Sequence, residues 1–128
     1  MEPLKILIID DSSGTRDLLK TILEMADFQV SGVGAVEEGD IIAILDREQP
    51  DFLILDYHLK GEETVEYVKI IRDEPAWQNL GILMISAIDR EKACLRAGAD
   101  GFTIKPFDWQ EIVGAIRKIS GDIQVDGS

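Results

Sequence analysis

Residues 5–11 read Lys-Ile-Leu-Ile-Ile-Asp-Asp, an unbroken aliphatic run closed by two carboxylates. A short run of this kind, rich in β-branched side chains and ending in polar residues, fits a strand buried on both faces, as in the middle of a parallel sheet. The same pattern recurs along the chain. Residues 52–56, FLILD, end in Asp56; residues 81–86, GILMIS, end in Ser86; residues 101–106, GFTIKP, end in Lys105 and Pro106. In an open parallel sheet, ligands bind beyond the carboxyl ends of the strands. Polar residues spread over about a hundred positions would therefore meet in one crevice.

Strands are expected near residues 4–10, 28–33, 51–55, 81–86 and 101–104, alternating with helix-length stretches of mixed polarity. That alternation predicts repeated βα units, and hence an α/β fold: a doubly wound five-stranded parallel sheet with helices on both faces. Leu18, Leu19, Ile22, Leu23 and Ala26 form an apolar stripe that predicts a first helix over about 13–25, with Ser12 or Ser13 as its N-cap. Ile41, Ile42 and Leu45 mark a second helix before Pro50, and Val65, Val68 and Ile71 a third that ends before Pro75. Asp108 followed by Glu111 reads as a capping box opening a fifth helix that buries Ile112, Ile116 and Ile119. Gly32-Val33-Gly34 lacks the third glycine of a dinucleotide loop and reads as a turn. Trp77 and Trp109 read as packing residues at element boundaries, and Cys94 as a small apolar residue of the fourth helix.

The chain has 128 residues and 45% hydrophobic content, which suits one domain with a real core. Twenty-five acidic against 13 basic residues leave a net charge of −12, which would repel a phosphate backbone and argues against nucleic-acid binding. The single cysteine, Cys94, cannot form an intrachain disulfide and fits a reducing compartment. Apolar runs of about four residues fall far short of the roughly 20 that span a bilayer, and the N-terminus lacks a signal-peptide apolar core. The expectation is a cytoplasmic protein with no membrane partner.

Asp10, Asp11 and Asp56 would crowd three carboxylates into one pocket, where like charges raise one another's pKa unless a cation sits among them. Mg²⁺ is the natural occupant, being a hard ion that takes oxygen ligands and tolerates a phosphate oxygen in its shell. Three carboxylates, the Lys105 ammonium and one dication are formally neutral together, so a loaded pocket could receive a phosphoryl donor without net repulsion. A carboxylate can itself attack phosphorus. Asp56 stands alone at its strand end and is the best nucleophile candidate, with Asp10 and Asp11 as a metal-binding pair. Lys105 and Ser86 would then hold phosphoryl oxygens beside the metal.

These motifs, from LIIDDS through FLILDYHL and LMISA to AGADGFTIKPF, resemble the receiver domains of two-component response regulators, including the stand-alone chemotaxis type. The resemblance covers essentially the whole chain and implies a flavodoxin-like receiver domain over residues 1–122 followed by a polar C-terminal tail, residues 123–128. By that resemblance Asp56 is the phosphoacceptor, and Asp11, Asp56 and the backbone carbonyl of His58 are direct metal ligands, with Asp10 acting through water. Ser86 and Phe102 take the two switch positions, and the Lys105–Pro106 bond is expected to be cis. The implied phosphodonor is a sensor histidine kinase or a histidine phosphotransfer protein, and the implied role is a phosphoacceptor switch, not an enzyme with turnover.

Two departures from the family pattern carry expectations of their own. Lys60 and Thr64 stand where receivers usually have Pro and Gly, which predicts a differently shaped loop before the third helix. Only residues 88–96 separate SA from AGA, roughly one helical turn fewer than usual, which predicts a short or displaced fourth helix. Two other readings are open: a pseudo-receiver that binds partners without phosphorylation, and an aspartate-nucleophile phosphatase. The second would need its nucleophile at the end of the first strand and an Asp two residues on, where this chain has Ser12.

Overall fold

The computed structural model describes residues 3–123, so the greater part of the expected polar tail, 124–128, lies outside the described residues. Five strands form one parallel sheet: β1 (Lys5–Ile9), β2 (Gln29–Val33), β3 (Phe52–Asp56), β6 (Gly81–Ser86) and β7 (Gly101–Ile104), in the order β2-β1-β3-β6-β7. Two further short strands, β4 (His58–Leu59) and β5 (Glu62–Glu63), pair antiparallel in a ribbon of their own. The helices are α1 (Ser13–Met25), α2 (Ile41–Glu48), α3 (Val65–Asp73), α4 (Glu91–Ala97) and α5 (Trp109–Ile123), with a 3₁₀ turn at Glu37–Gly39.

The sheet separates two cores, and strand alternation assigns residues to each. Leu7, Ile9, Leu53, Leu55, Ile82 and Met84 face α2, α3 and α4, where they meet Ile41, Leu45, Val68, Ile71 and Cys94. Ile6, Ile8, Phe52, Ile54, Leu83 and Ile85 face the other way, onto Leu19 and Leu23 of α1 and Ile112, Val113, Ile116 and Ile119 of α5. Each buried aliphatic side chain contributes about 1.5–3 kcal/mol relative to exposure, and this two-sided burial is why the central strands are continuous apolar runs. The edge strands β2 and β7 are only partly covered.

Local signals set the helix ends. Ser12 Oγ accepts from Thr15 N at 3.2 Å and caps α1, and Asp40 Oδ1 accepts from Ala43 N at 3.0 Å and caps α2. At the start of α5 one arm of the expected capping box forms, Asp108 N donating to Glu111 Oε1 at 3.3 Å, while Asp108 Oδ1 accepts from Gln110 N at 3.2 Å in place of Glu111 N. Gly98, at φ 117°, closes α4 in the left-handed conformation. There Arg72 of α3 donates to the carbonyls of Gly98, Gln78 and Leu80 and pairs with Asp100 at 2.9 Å, while the same carboxylate accepts from Ile82 N at the start of β6. Arg72 thus ties three elements together.

Three expectations need correction. Leu18, placed on the buried stripe of α1, is 53% exposed, and Trp109 is 52% exposed instead of packed at a boundary. Trp109 lines a solvent-facing groove of about 410 Å³ between α1 and α5, together with Ile22, Met25 and Val113. Gly32 lies inside β2 and not in a turn. A Cβ at Gly32 would approach Arg16 Cδ to 3.3 Å, and one at Gly34 would approach Arg16 Nη1 to 2.9 Å, so the glycines make room for that side chain. The fourth helix, α4, is short as expected, with seven residues, Glu91–Ala97.

Candidate functional site

The carboxyl ends of β1, β3 and β7 bring Asp10, Asp11, Asp56 and Lys105 into one crevice, where one carboxylate oxygen from each Asp lies within 4.8 Å of the others. Asp10 is fully buried. Its Oδ1 accepts from Ser12 N at 2.9 Å and its Oδ2 from Lys105 Nζ at 3.0 Å. Asp56 is buried as well, with Oδ2 3.4 Å from Lys105 Nζ and Oδ1 3.4 Å from His58 N. Asp11 is exposed, and its Oδ2 accepts from the backbone N–H of Lys60 at 2.8 Å.

Burial pushes the Asp56 carboxyl above its ordinary range, the Asp10 charge pushes it further, and the Lys105 ammonium opposes both. For Lys105, burial disfavours the ammonium, yet hydrogen bonding and attraction from Asp10 and Asp56 outweigh it and raise the pKa. The amine is therefore held charged. Three hard oxygen donors around a common point, two of them buried against one cation, suit a small dication such as Mg²⁺, which takes carboxylates and keeps waters.

The hairpin explains how His58 is presented. Lys60 and Gly61, at φ 52° and 83°, make the two-residue turn, and its register pairs His58 with Glu63. Thr64 N donates to Tyr57 O at 2.9 Å, so residues 57 and 64 form a hydrogen-bonded pair and 58 and 63 the alternate kind. The polar backbone groups of His58 are left out of the ribbon's ladder, and its N–H faces Asp56. The family-pattern Pro and Gly are thus replaced by a ribbon whose tip touches Asp11.

Ser86 ends β6 in a buried position, and its Oγ accepts from Ile88 N at 3.2 Å; among the described residues it makes no hydrogen bond to Asp56. Phe102 is half-buried in β7 against the core beneath α4. The Lys105–Pro106 bond is cis, and Lys105 N donates to Ser86 O at 2.7 Å. Two contributors were not read as part of the site from sequence, Thr64 having been noted only as a departure that reshapes the loop before the third helix. Arg16 Nη1 donates to the Asp10 carbonyl at 2.7 Å, and Thr64 Oγ1 donates to the Asp56 carbonyl at 2.7 Å and lies 3.2 Å from that of Tyr57. Arg16 falls six residues after Asp10 and Thr64 eight after Asp56; only the Gly32 and Gly34 pair hinted at the first.

Fold and site define a class: a flavodoxin-like α/β domain with an acidic, lysine-bearing crevice at the carboxyl edge of its sheet. Comparison with known proteins narrows it. The model of the response regulator receiver domain matches residues 6–117, and the chain belongs to that family. Similar proteins include the phosphate regulon transcriptional regulatory protein PhoB of Rhizobium meliloti, 31% identical over 88% of this chain and 50% of that protein. The chain spans about half the length of the PhoB proteins it matches. Chemotaxis protein CheY of Pseudomonas aeruginosa is 28% identical over 91% of this chain and 95% of its own length. Among solved structures, one described as a response regulator of Chloroflexus aurantiacus superposes with a TM-score of 0.84 at 30% identity, covering 93% of this chain and 98% of the other. CheY4 of Vibrio cholerae shares the fold, with a TM-score of 0.79 at 22% identity over 91% of this chain and 98% of its own. Among the described residues no helix is long and apolar enough to cross a membrane.

Proposed function

We propose that this receiver domain accepts a phosphoryl group on Asp56 from the phosphohistidine of a sensor histidine kinase or a histidine phosphotransfer protein, in a Mg²⁺-dependent step in the cytoplasm. One observation carries the reading: Asp56 sits between a charged lysine and two further carboxylates in a pocket open to solvent on the Asp11 side. An Asp56 oxygen attacks phosphorus, the phosphorus–nitrogen bond to the donor imidazole breaks, and the imidazole leaves with the bonding pair and takes up a proton. Lys105, already 3.4 Å from Asp56, holds a phosphoryl oxygen. Asp10, Asp11, Asp56 and the His58 carbonyl would hold Mg²⁺, which when bound supplies positive charge to the transferring oxygens. Ser86 exchanges its bond with Ile88 N for one to a phosphoryl oxygen, and Phe102 turns inward behind it. Binding to a partner thereby becomes sensitive to the modification, since the phosphoryl group favours one of two arrangements.

Intact mass after incubation with acetyl phosphate and Mg²⁺ tests this. The wild-type chain gains one phosphoryl group and Asp56→Asn gains none. Undiminished labelling of the variant defeats the assignment.

A pseudo-receiver role draws on a different observation: the Lys60 amide already occupies an Asp11 oxygen, and a ribbon stands in place of the usual loop. Binding of Mg²⁺ without any acyl phosphate favours that role. For a phosphatase, steady turnover of phosphomonoesters would be required, yet the position that would carry its second Asp is Ser12, which caps α1.

A further inference from the structure

We propose that Thr64 is a positioning residue of the acidic site, acting through the backbone of Asp56 and Tyr57; the inference rests on the receiver reading above. Thr64 immediately precedes α3, where a threonine ordinarily accepts a hydrogen bond from an N–H of the first helical turn. Its side chain makes no such bond. The hydroxyl is instead fully buried and donates backwards, to the Asp56 carbonyl at 2.7 Å, with the Tyr57 carbonyl 3.2 Å away. Thr64 N donates to Tyr57 O at 2.9 Å, so one residue holds two consecutive peptide groups from both its backbone and its side chain.

Those two peptide groups are where the geometry of the site is decided. The Asp56 carbonyl belongs to the residue that would carry the phosphoryl group. The Tyr57 carbonyl is part of the peptide leading into His58, whose N–H lies 3.4 Å from Asp56 Oδ1. From His58 the ribbon runs to Lys60, whose N–H holds Asp11 Oδ2 at 2.8 Å. Thr64 thus closes the base of a loop whose tip contacts one metal-binding carboxylate and whose root contains another. The hydroxyl leaves α3 without a side-chain cap and fixes the strand end instead. Loss of the hydroxyl frees the root of the ribbon, so His58 and Asp11 no longer share one geometry with Asp56.

The test compares Thr64→Val, which keeps the shape and removes the hydroxyl, with Thr64→Ser, which keeps the hydroxyl. Thr64→Ala serves as a smaller hydroxyl-free variant should the valine fail to fold. Ile71→Val, a core change in α3 far from the crevice, supplies a comparable loss of melting temperature without touching the site. Mg²⁺ affinity is read by calorimetry on the unphosphorylated chain, and labelling by acetyl phosphate is followed separately. Thr64→Val or Thr64→Ala weakens Mg²⁺ binding about tenfold and slows labelling at saturating Mg²⁺, Thr64→Ser stays within about twofold of wild type, and Ile71→Val leaves both unchanged. Wild-type Mg²⁺ affinity in the hydroxyl-free variants overturns the proposal, as does an equal loss in Ile71→Val. A wild-type chain that neither binds Mg²⁺ nor takes a phosphoryl group overturns the receiver reading itself, which separates the two failures.

Discussion

The three carboxylates of the crevice differ in what already compensates them. Asp10 is buried but bonded to both Ser12 N and Lys105, whereas Asp11 is exposed and, among the described residues, is bonded only by the Lys60 amide. Sequence alone suggests that neutralising either would relieve repulsion and raise the melting temperature of metal-free protein. The structure ranks them. Asp11→Asn sheds a repulsive charge at little cost in contacts, and its metal-free melting temperature should rise by a few degrees, about 0.5–1 kcal/mol. Asp10→Asn relieves similar repulsion but presents an amide to the Lys105 ammonium, which offsets the gain. Its rise should be smaller or reversed, while both variants bind Mg²⁺ more weakly. Melting curves with and without Mg²⁺ decide this, and a larger gain for Asp10→Asn would contradict the assigned pairing.

Among the elements, the β4–β5 ribbon departs furthest from what the sequence announced. Two strands of two residues, one of them Glu-Glu, carry no hydrophobic alternation to detect, and Lys60-Gly61 is a weak turn signal. Its tight turn needs positive φ at both central positions. Lys60→Asn suits that conformation and keeps the N–H to Asp11, so stability should hold or rise slightly. Lys60→Pro restores the residue more usual in receivers but cannot adopt φ 52° and loses the donor, costing about 1–3 kcal/mol. Urea denaturation of both variants checks the ordering; a proline variant as stable as wild type would mean the ribbon is not held as described. In contrast, β1, β3 and β6 were legible because burial on both faces writes an unbroken apolar run, and their ends pointed to Asp10, Asp56 and Ser86. Thr64 and Arg16 were not, because each acts on a carbonyl rather than on a side chain. Leu18 and Trp109 misled for a related reason: periodicity finds an apolar stripe but not how far the neighbouring helix covers it.

For the molecule as a whole, Cys94 reports on integrity. It is fully buried in α4 against the α2–α3 side, and burial pushes its thiol up to about 11. The folded chain therefore keeps this proton where the unfolded chain releases it. That contribution to stability is complete below the ordinary thiol value and is lost as pH rises to about 11. Labelling of Cys94 by a thiol reagent near pH 8 should be about a hundredfold slower than in denaturant. Comparable rates would show that α4 opens readily.

The division of the interior by the sheet has a consequence for how such a domain can vary. Helix α4 packs wholly on one side, while α1 and α5 occupy the other, and the strands between them act as a bulkhead. A turn can be trimmed from one compartment without moving the rear wall of the second. The acidic residues are mounted on the rim that both compartments share, so they keep their spacing while the α4 compartment is refitted.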